Sequence, residues 1–259
     1  MSDLTIFSLE GRTAVITGGS GAIGRGCARA FARAGASVVI ASVPPEEIPP
    51  AVAEVEALGS RALGIAVDVT NAAHVAEMVE RSVERFGRID ILVNVAGGSY
   101  SRSPFTPRFG RARLIELGEE DFMGAFEVNV KGTFLAAKAV APLMKTQGKG
   151  AIINIGSSAG RGAPARPELA AYAAAKAAVM NLTVQMAHQW GPEVRVNCIA
   201  PGAIDTPRAG MERSELQAAA ARIALGRTGT PDDIGHVALF LASDAAAFVN
   251  GAVVDVHGG

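Results

Sequence analysis

Tyr172 and Lys176 stand four residues apart in a chain that has only two tyrosines and five lysines. On a helix that spacing stacks both side chains on one face, about 6 Å apart along the axis. An ammonium beside a phenol stabilises phenolate. Free tyrosine titrates near pH ~10, and each unit of downward shift represents about 1.4 kcal/mol of preference for the charged form. A phenol lowered in this way donates and accepts protons near neutrality. The bland reading is an i, i+4 contact on a surface helix. Against it stand Ser157, a hydroxyl suited to a developing oxyanion, and a glycine-rich turn from Thr17 to Gly24.

That turn, Thr17-Gly18-Gly19-Ser20-Gly21-Ala22-Ile23-Gly24, follows a β-rich run and precedes a helical pattern. Glycines there allow close approach of a pyrophosphate, and a helix N-terminus supplies free N–H groups at the positive end of its dipole. A tight strand-to-helix turn uses glycine anyway, so the position after the first strand carries the argument.

Elements that must position these residues alternate along the chain. Strands are predicted near 13–17, 37–41, 62–67, 89–93, 151–155, 195–199 and 253–256. Helices are predicted over 23–34, 72–86, 119–144 and 170–190. Near-continuous Val/Ile/Ala runs suit buried parallel strands with helical crossovers. The expected fold is α/β, a doubly wound, Rossmann-like parallel sheet of about seven strands with helices on both faces. Pro44 to Pro50 reads as a short connection, and no repeat appears. One catalytic domain over residues 1–259 is the simplest organisation for a chain that is 49% hydrophobic.

A formal net charge of -1 gives no electrostatic reason to expect nucleic acid or an anionic membrane as partner. No signal peptide or 18-residue apolar run is evident. Cys27 and Cys198 lie far apart in apolar stretches, as buried reduced thiols of a cytoplasmic protein do. His74, His188, His236 and His257 lack metal-ligand spacing, and Pro231-Asp232-Asp233 reads as a helix start, so no metal is expected.

The ordered motifs resemble the short-chain dehydrogenase/reductase family in its compact branch, over nearly the whole chain. The turn matches Thr-Gly-x-x-x-Gly-x-Gly with Ala22 for the middle glycine, and Asn94-Val95-Ala96-Gly97 matches Asn-Asn-Ala-Gly with Val95 as the change. Asn154-Ile155-Gly156-Ser157 and Tyr172-x-x-x-Lys176 complete the pattern, the Ser-x-x-Gly register to Gly160 selecting Ser157 over Ser158. The resemblance implies a catalytic tetrad of Asn129, Ser157, Tyr172 and Lys176. It implies cofactor contacts from Gly18, Ser20, Gly21, Ile23 and Gly24, from Asp68 and Val69 at the adenine, and from Asn94, Ala96 and Gly97. Tyr172 and Lys176 would hold the nicotinamide ribose, with Pro201, Gly202, Ile204 and Thr206 at the nicotinamide end. Tyr172 would be acid and base, Lys176 would lower its pKa, Ser157 would bind the oxyanion and Asn129 would hold a water leading from Lys176 to solvent. The duller roles are a helix bend at Asn129 and a loop start at Ser157.

The implied reaction interconverts a secondary alcohol and a ketone, using NAD or NADP. An acid after the second strand would favour NAD and an Arg would favour NADP, but Ser42 and Val43 occupy those positions. Without a fixed cation a 2′-phosphate loses charge-assisted hydrogen bonds, so NAD is favoured modestly. Glu46 and Glu47 could reach the ribose, though two acids at a helix start are more often dipole partners.

Substrate loops are expected over about 98–118 and 208–224. The first carries Arg102, Arg108, Arg111 and Arg113, with no acid between Asp90 and Glu116. It reads as a solvated loop or a subunit contact, or as the recognition element of an anionic substrate. The family implies a homotetramer paired through the long helices. A non-catalytic dinucleotide sensor or scaffold of the same fold is the alternative.

Overall fold

The computed structural model describes residues 4–101, 105–107, 109–162, 167–206 and 213–259. Seven strands, β1 (Thr13–Thr17), β2 (Ser37–Ser42), β3 (Ala62–Ala66), β4 (Ile91–Asn94), β5 (Gly150–Ile155), β6 (Val194–Pro201) and β7 (Val253–Val256), form one sheet in the order β3-β2-β1-β4-β5-β6-β7. Every neighbouring pair is parallel. The order reverses between β1 and β4, and in open α/β sheets ligands bind at the carboxyl ends beside such a reversal.

Alternation along the strands divides the core in two. Ala14, Ile16, Val38, Ile40, Ile91 and Val93 pack on one face with Phe31 of helix α1 (Ala22–Arg33). Also on this face are α2 (Ile48–Glu56) and α8 (Pro231–Ala242). Val15, Val39, Leu92 and Ile152 point the other way. They pack with α3 (Ala72–Phe86), α5 (Gly132–Gln147) and α6 (Ala170–Trp190). A further helix, α7 (Arg213–Ala220), lies in the second expected substrate loop.

Two segments differ from the sequence reading. The single helix expected over 119–144 is α4 (Glu119–Phe126) and α5 joined by a π-helical turn, Glu127–Lys131, which contains Asn129. Periodicity reads through one such turn because the axis continues; only the hydrogen bonding changes. The Pro44–Pro50 connection instead holds a 3₁₀ turn, Pro45–Glu47, and the start of α2. Proline is tolerated in a first helical turn, where its missing N–H would have had no partner.

The helix that follows the glycine turn is held by contact between backbones. A Cβ on Gly26 of α1 would overlap the Pro231 carbonyl, and one on Gly235 of α8 would overlap that of Gly26. Pro231 itself follows a capping box in which Thr230 and Asp233 bond each other's backbone N–H groups. Gly26→Ala should therefore push the helices apart, at a cost of about 1–3 kcal/mol. We expect a lower urea midpoint and a Tm several degrees lower; an unchanged midpoint would show that the α1–α8 contact does not hold α1 in place.

Candidate active site

Lys176 is 3% exposed, and its Nζ donates to the Ile155 carbonyl at the end of β5 over 2.7 Å. Nζ lies 5.9 Å from the centroid of the half-buried Tyr172 ring, one turn earlier on α6. Burial lowers the lysine from 10.5 to about 8, with the nearby Cys198 working in the opposite direction. Burial also raises the Tyr172 phenol above its ordinary value, opposed by the Ser157 hydroxyl and then by the charge of Arg111. The expected lowering of the phenol is thus not found in the protein alone. Desolvation of the phenol outweighs the stabilising groups around it.

Ser157 follows β5 by two residues, is 8% exposed, and accepts from Ala159 N–H at 3.2 Å. Asn129 is fully buried. Its Nδ2 donates to Gly98 O (3.0 Å) and Ala125 O (2.8 Å), and its Oδ1 accepts from Gly98 N (3.1 Å). The Ala125 bond reaches one turn back within the π-helical stretch, where the backbone ladder is interrupted. Asn129 therefore clamps the 97–98 turn. Gly97, at φ +150, sits against both groups: a Cβ there would strike Asn129 Oδ1 and approach Lys176 Nζ to 3.4 Å.

Strand ends are tied by a row of buried amides. Asn94 donates to Asn154 Oδ1, and Asn154 donates to Thr183 Oγ1 on α6, each at 2.9 Å. Thr17 Oγ1 accepts from Ala96 N at 3.3 Å. Asn94 Oδ1 is buried without a protein partner.

On the other side of Gly97 a cavity extends past Gly18, Gly21, Ser42 and Val43, with Val67, Val69 and Ala96 along its wall. Gly18, at φ +63, brings backbone against backbone: a Cβ would lie 2.8 Å from Ala96 N. The N-terminus of α1 has no side-chain cap, leaving the N–H groups of Ala22, Ile23 and Gly24 directed outward. Asp68 holds Thr70 through one oxygen, at 2.9 and 2.8 Å, leaving the other free beside Val69. An open backbone cradle, a free helix N-terminus and an unpartnered amide oxygen fit a dinucleotide.

Sequence reasoning undervalued Glu47. Of the two roles open to it, ribose contact or dipole partner, its position fits the first: Oε2 accepts from Ser20 Oγ at 3.2 Å, and Ser20 Oγ meets Ser42 Oγ at 2.7 Å. Arg25 donates to Ser20 O at 2.9 Å and lies 3.5 Å from Glu54. The first substrate segment is anchored in part, while Arg111 and the residues from Arg113 to Glu116 are exposed. Ser101 and Phe109 pair as an antiparallel bridge, and Phe109, 3% exposed, packs with Ala125, Val128 and Ala171. Tyr100, Ser101, Thr106 and Phe109 line the cavity. Arg102 and Arg108 lie outside the described residues, as does the 208–212 part of the second loop. Two phenylalanines amid arginines, Phe105 and Phe109, are the signal in the sequence.

At the remaining positions, Pro201 ends β6, Gly202 N–H donates to Val256 O at 3.0 Å, Ile204 bridges to Gly229, and Thr206 is half-buried. Among the described residues no cluster of three or more His, Cys, Asp or Glu could hold a metal, and no helix is long and apolar enough to cross a membrane.

Comparison with known proteins agrees with this geometry. The family model described as "Enoyl-(Acyl carrier protein) reductase" matches residues 18–259. The chain is 36% identical to the 3-oxoacyl-[acyl-carrier-protein] reductase FabG of Thermotoga maritima, covering 97% of this chain and 98% of that one. It is 39% identical to the (2S)-[(R)-hydroxy(phenyl)methyl]succinyl-CoA dehydrogenase subunit BbsD of Thauera aromatica, over 97% of each. A solved 7α-hydroxysteroid dehydrogenase, complexed with NADH and 7-oxo glycochenodeoxycholic acid, superposes with a TM-score of 0.91 at 34% identity, covering 100% of this chain and 98% of that one. The chain belongs to the short-chain dehydrogenase/reductase family and is an NAD(P)-dependent oxidoreductase with a Rossmann-like fold. A non-catalytic scaffold is not favoured.

The buried ammonium makes a testable demand on stability. Unfolded lysine stays protonated to about pH 10.4, whereas Lys176 loses its proton near pH 8. Between those values the unfolded chain binds more protons, so this group's destabilising effect diminishes as pH rises. Lys176→Met should be more stable than the parent by about 1–3 kcal/mol at pH 7, with the advantage shrinking from pH 8 to 10. Urea unfolding across that range checks it; an advantage independent of pH would show that Lys176 is not a desolvated ammonium.

Proposed function

We propose that the chain interconverts a secondary alcohol and a ketone, acting as one catalytic unit over residues 1–259 with substrate loops at about 98–118 and 208–224. The observation that carries this is the convergence of Ser157, Tyr172 and Lys176 at the end of β5, beside the cavity behind Gly97. A nicotinamide dinucleotide held in this cleft would supply or take the hydride. Tyr172 gives its phenolic proton to the carbonyl oxygen in reduction and removes the hydroxyl proton in oxidation. Ser157 donates to the same oxygen as negative charge grows there. Lys176, poised near pH 8, replenishes the proton and holds the nicotinamide ribose with Tyr172. Asn129 keeps the 97–98 turn in place.

Gly18, Ser20, Gly21, Ile23 and Gly24 would hold the pyrophosphate. Asp68 and Val69 would hold adenine, Asn94, Ala96 and Gly97 the central part of the cofactor, and Pro201, Gly202, Ile204 and Thr206 its nicotinamide end. The relatives' own names speak of oxo and hydroxy substrates, and one was solved with NADH.

NAD is the preferred cofactor. Ser42, Ser20 and Glu47 form a hydrogen-bonded chain that would meet the adenosine ribose, and the Glu47 carboxylate would oppose a 2′-phosphate. The protein is placed in the cytoplasm, with its two cysteines reduced and buried. It assembles as a homotetramer through α4, α5 and α6, where Met123 and Phe134 are exposed; sedimentation at micromolar concentration reads this directly.

Tyr172→Phe should abolish turnover of a panel of ketones and alcohols while leaving cofactor affinity within a few-fold, since it removes the proton donor but little packing. Near-parental turnover would sink the mechanism. Glu47→Gln should raise kcat/KM for NADPH relative to NADH by roughly fivefold to tenfold, as expected for one charge near a protein surface. If the unmodified protein already prefers NADPH strongly, a base such as Arg25 reads the phosphate and the Glu47 argument is wrong.

A further inference from the structure

Arg111 is an exposed cation of the substrate segment whose charge reaches the Tyr172 phenol. Its guanidinium donates from Nε (2.9 Å) and from Nη2 (2.6 Å) to one atom, the hydroxyl oxygen of Ser99. It also lies over the Tyr100 ring, 5.1 Å from the centroid. Ser99 follows the Gly98 that Asn129 clamps, and Gly97 before it abuts Lys176. The arginine is therefore carried by the backbone turn that forms the wall between cavity and tetrad. Downstream, the position is anchored by Phe109, buried against α4 and α6. The side chain is held on both sides and yet remains exposed.

What holds it is neutral. The nearest described acid in sequence is Glu116, and Asp121, which packs near Gly110, makes no ion pair with it. Of five guanidinium N–H groups, two are occupied by Ser99, and among the described residues the others have no protein acceptor. A planar fork held in place by a hydroxyl and an aromatic face, with no carboxylate of its own, is prepared for an external one. The Tyr172 phenol also registers the Arg111 charge, which places the guanidinium within electrostatic range of the proton donor.

We propose that Arg111 is an anion subsite of the catalytic cleft and that the substrate is a keto acid or hydroxy acid, its carboxylate taken by Arg111 while its carbonyl or hydroxyl meets Ser157 and Tyr172. One cation suits a monoanion, which favours a carboxylate over a phosphate ester. The proposal deepens the alcohol–ketone reading above and rests on it; the two fail in different ways.

The test pairs keto acids of varied length, aliphatic and cyclic, with their methyl esters, for the parent protein, Arg111→Met and Arg111→Lys. With its preferred substrate the parent should favour the acid over the ester by about tenfold or more in kcat/KM, in line with one charge-assisted contact. Added salt should narrow the preference. Arg111→Met should lose it while reducing the ester as well as the parent does, and Arg111→Lys should restore part of it. Esters used as readily as acids, or both lost equally in Arg111→Met, would overturn the proposal and leave the alcohol–ketone reading intact. A higher NADH dissociation constant in Arg111→Met would also overturn it, by assigning the guanidinium to the cofactor. If no ketone is reduced at all, the alcohol–ketone reading falls. Calorimetric titration with the keto acids then decides the subsite: binding that Arg111→Met abolishes supports it, and no binding refutes it.

Discussion

A buried ammonium at the end of β5 is the constraint to which the rest of the site answers. Lys176 reaches the Ile155 carbonyl because α6 lies against the sheet with its small residues inward, Ala171, Ala175 and Val179 among them. Burial makes the charge costly, and the cost is what moves the lysine toward neutrality near pH 8. The same burial raises the tyrosine one turn away. In the protein alone, then, the phenol and the amine are each displaced toward their neutral forms, so the phenol keeps its proton as the amine loses its own.

Holding that pair requires the strand ends to be fixed relative to α6. The Asn94–Asn154–Thr183 row does so across β4, β5 and the helix, and Asn129 does so for the turn after β4. These amides lie in low-dielectric surroundings where an unmade bond costs more than in water. Each therefore favours one arrangement of the backbone. The π-helical turn belongs to the same scheme, because interrupting the ladder leaves Ala125 O available to the Asn129 side chain.

The two ends of the cleft are built differently. At one end of the cavity, Ser42 is linked through Ser20 to the Glu47 carboxylate. Toward the other end, Phe109 anchors a segment in which Arg111 contacts a hydroxyl and a ring. An aromatic anchor gives such a segment a fixed point beside its exposed residues.

The sequence by itself determined the strand order's raw material, the glycine turn and the Tyr172–Lys176 spacing, since these depend on local periodicity and on residue types with few alternative uses. Continuous apolar runs bounded by turns mark buried parallel strands, and i, i+4 spacing is geometry within one helix. Tertiary structure decided what depends on neighbours distant along the chain. Whether the phenol rises or falls is a balance of burial against charge, which no spacing states. Glu47 joined Ser20 only because β2 delivers its following turn beside the glycine loop. Asn129 became a clamp because the π turn and the 97–98 turn meet across the cleft. Phe109, an apolar residue among arginines in the sequence, became the anchor of the substrate wall because α4 and α6 leave an apolar gap of its size.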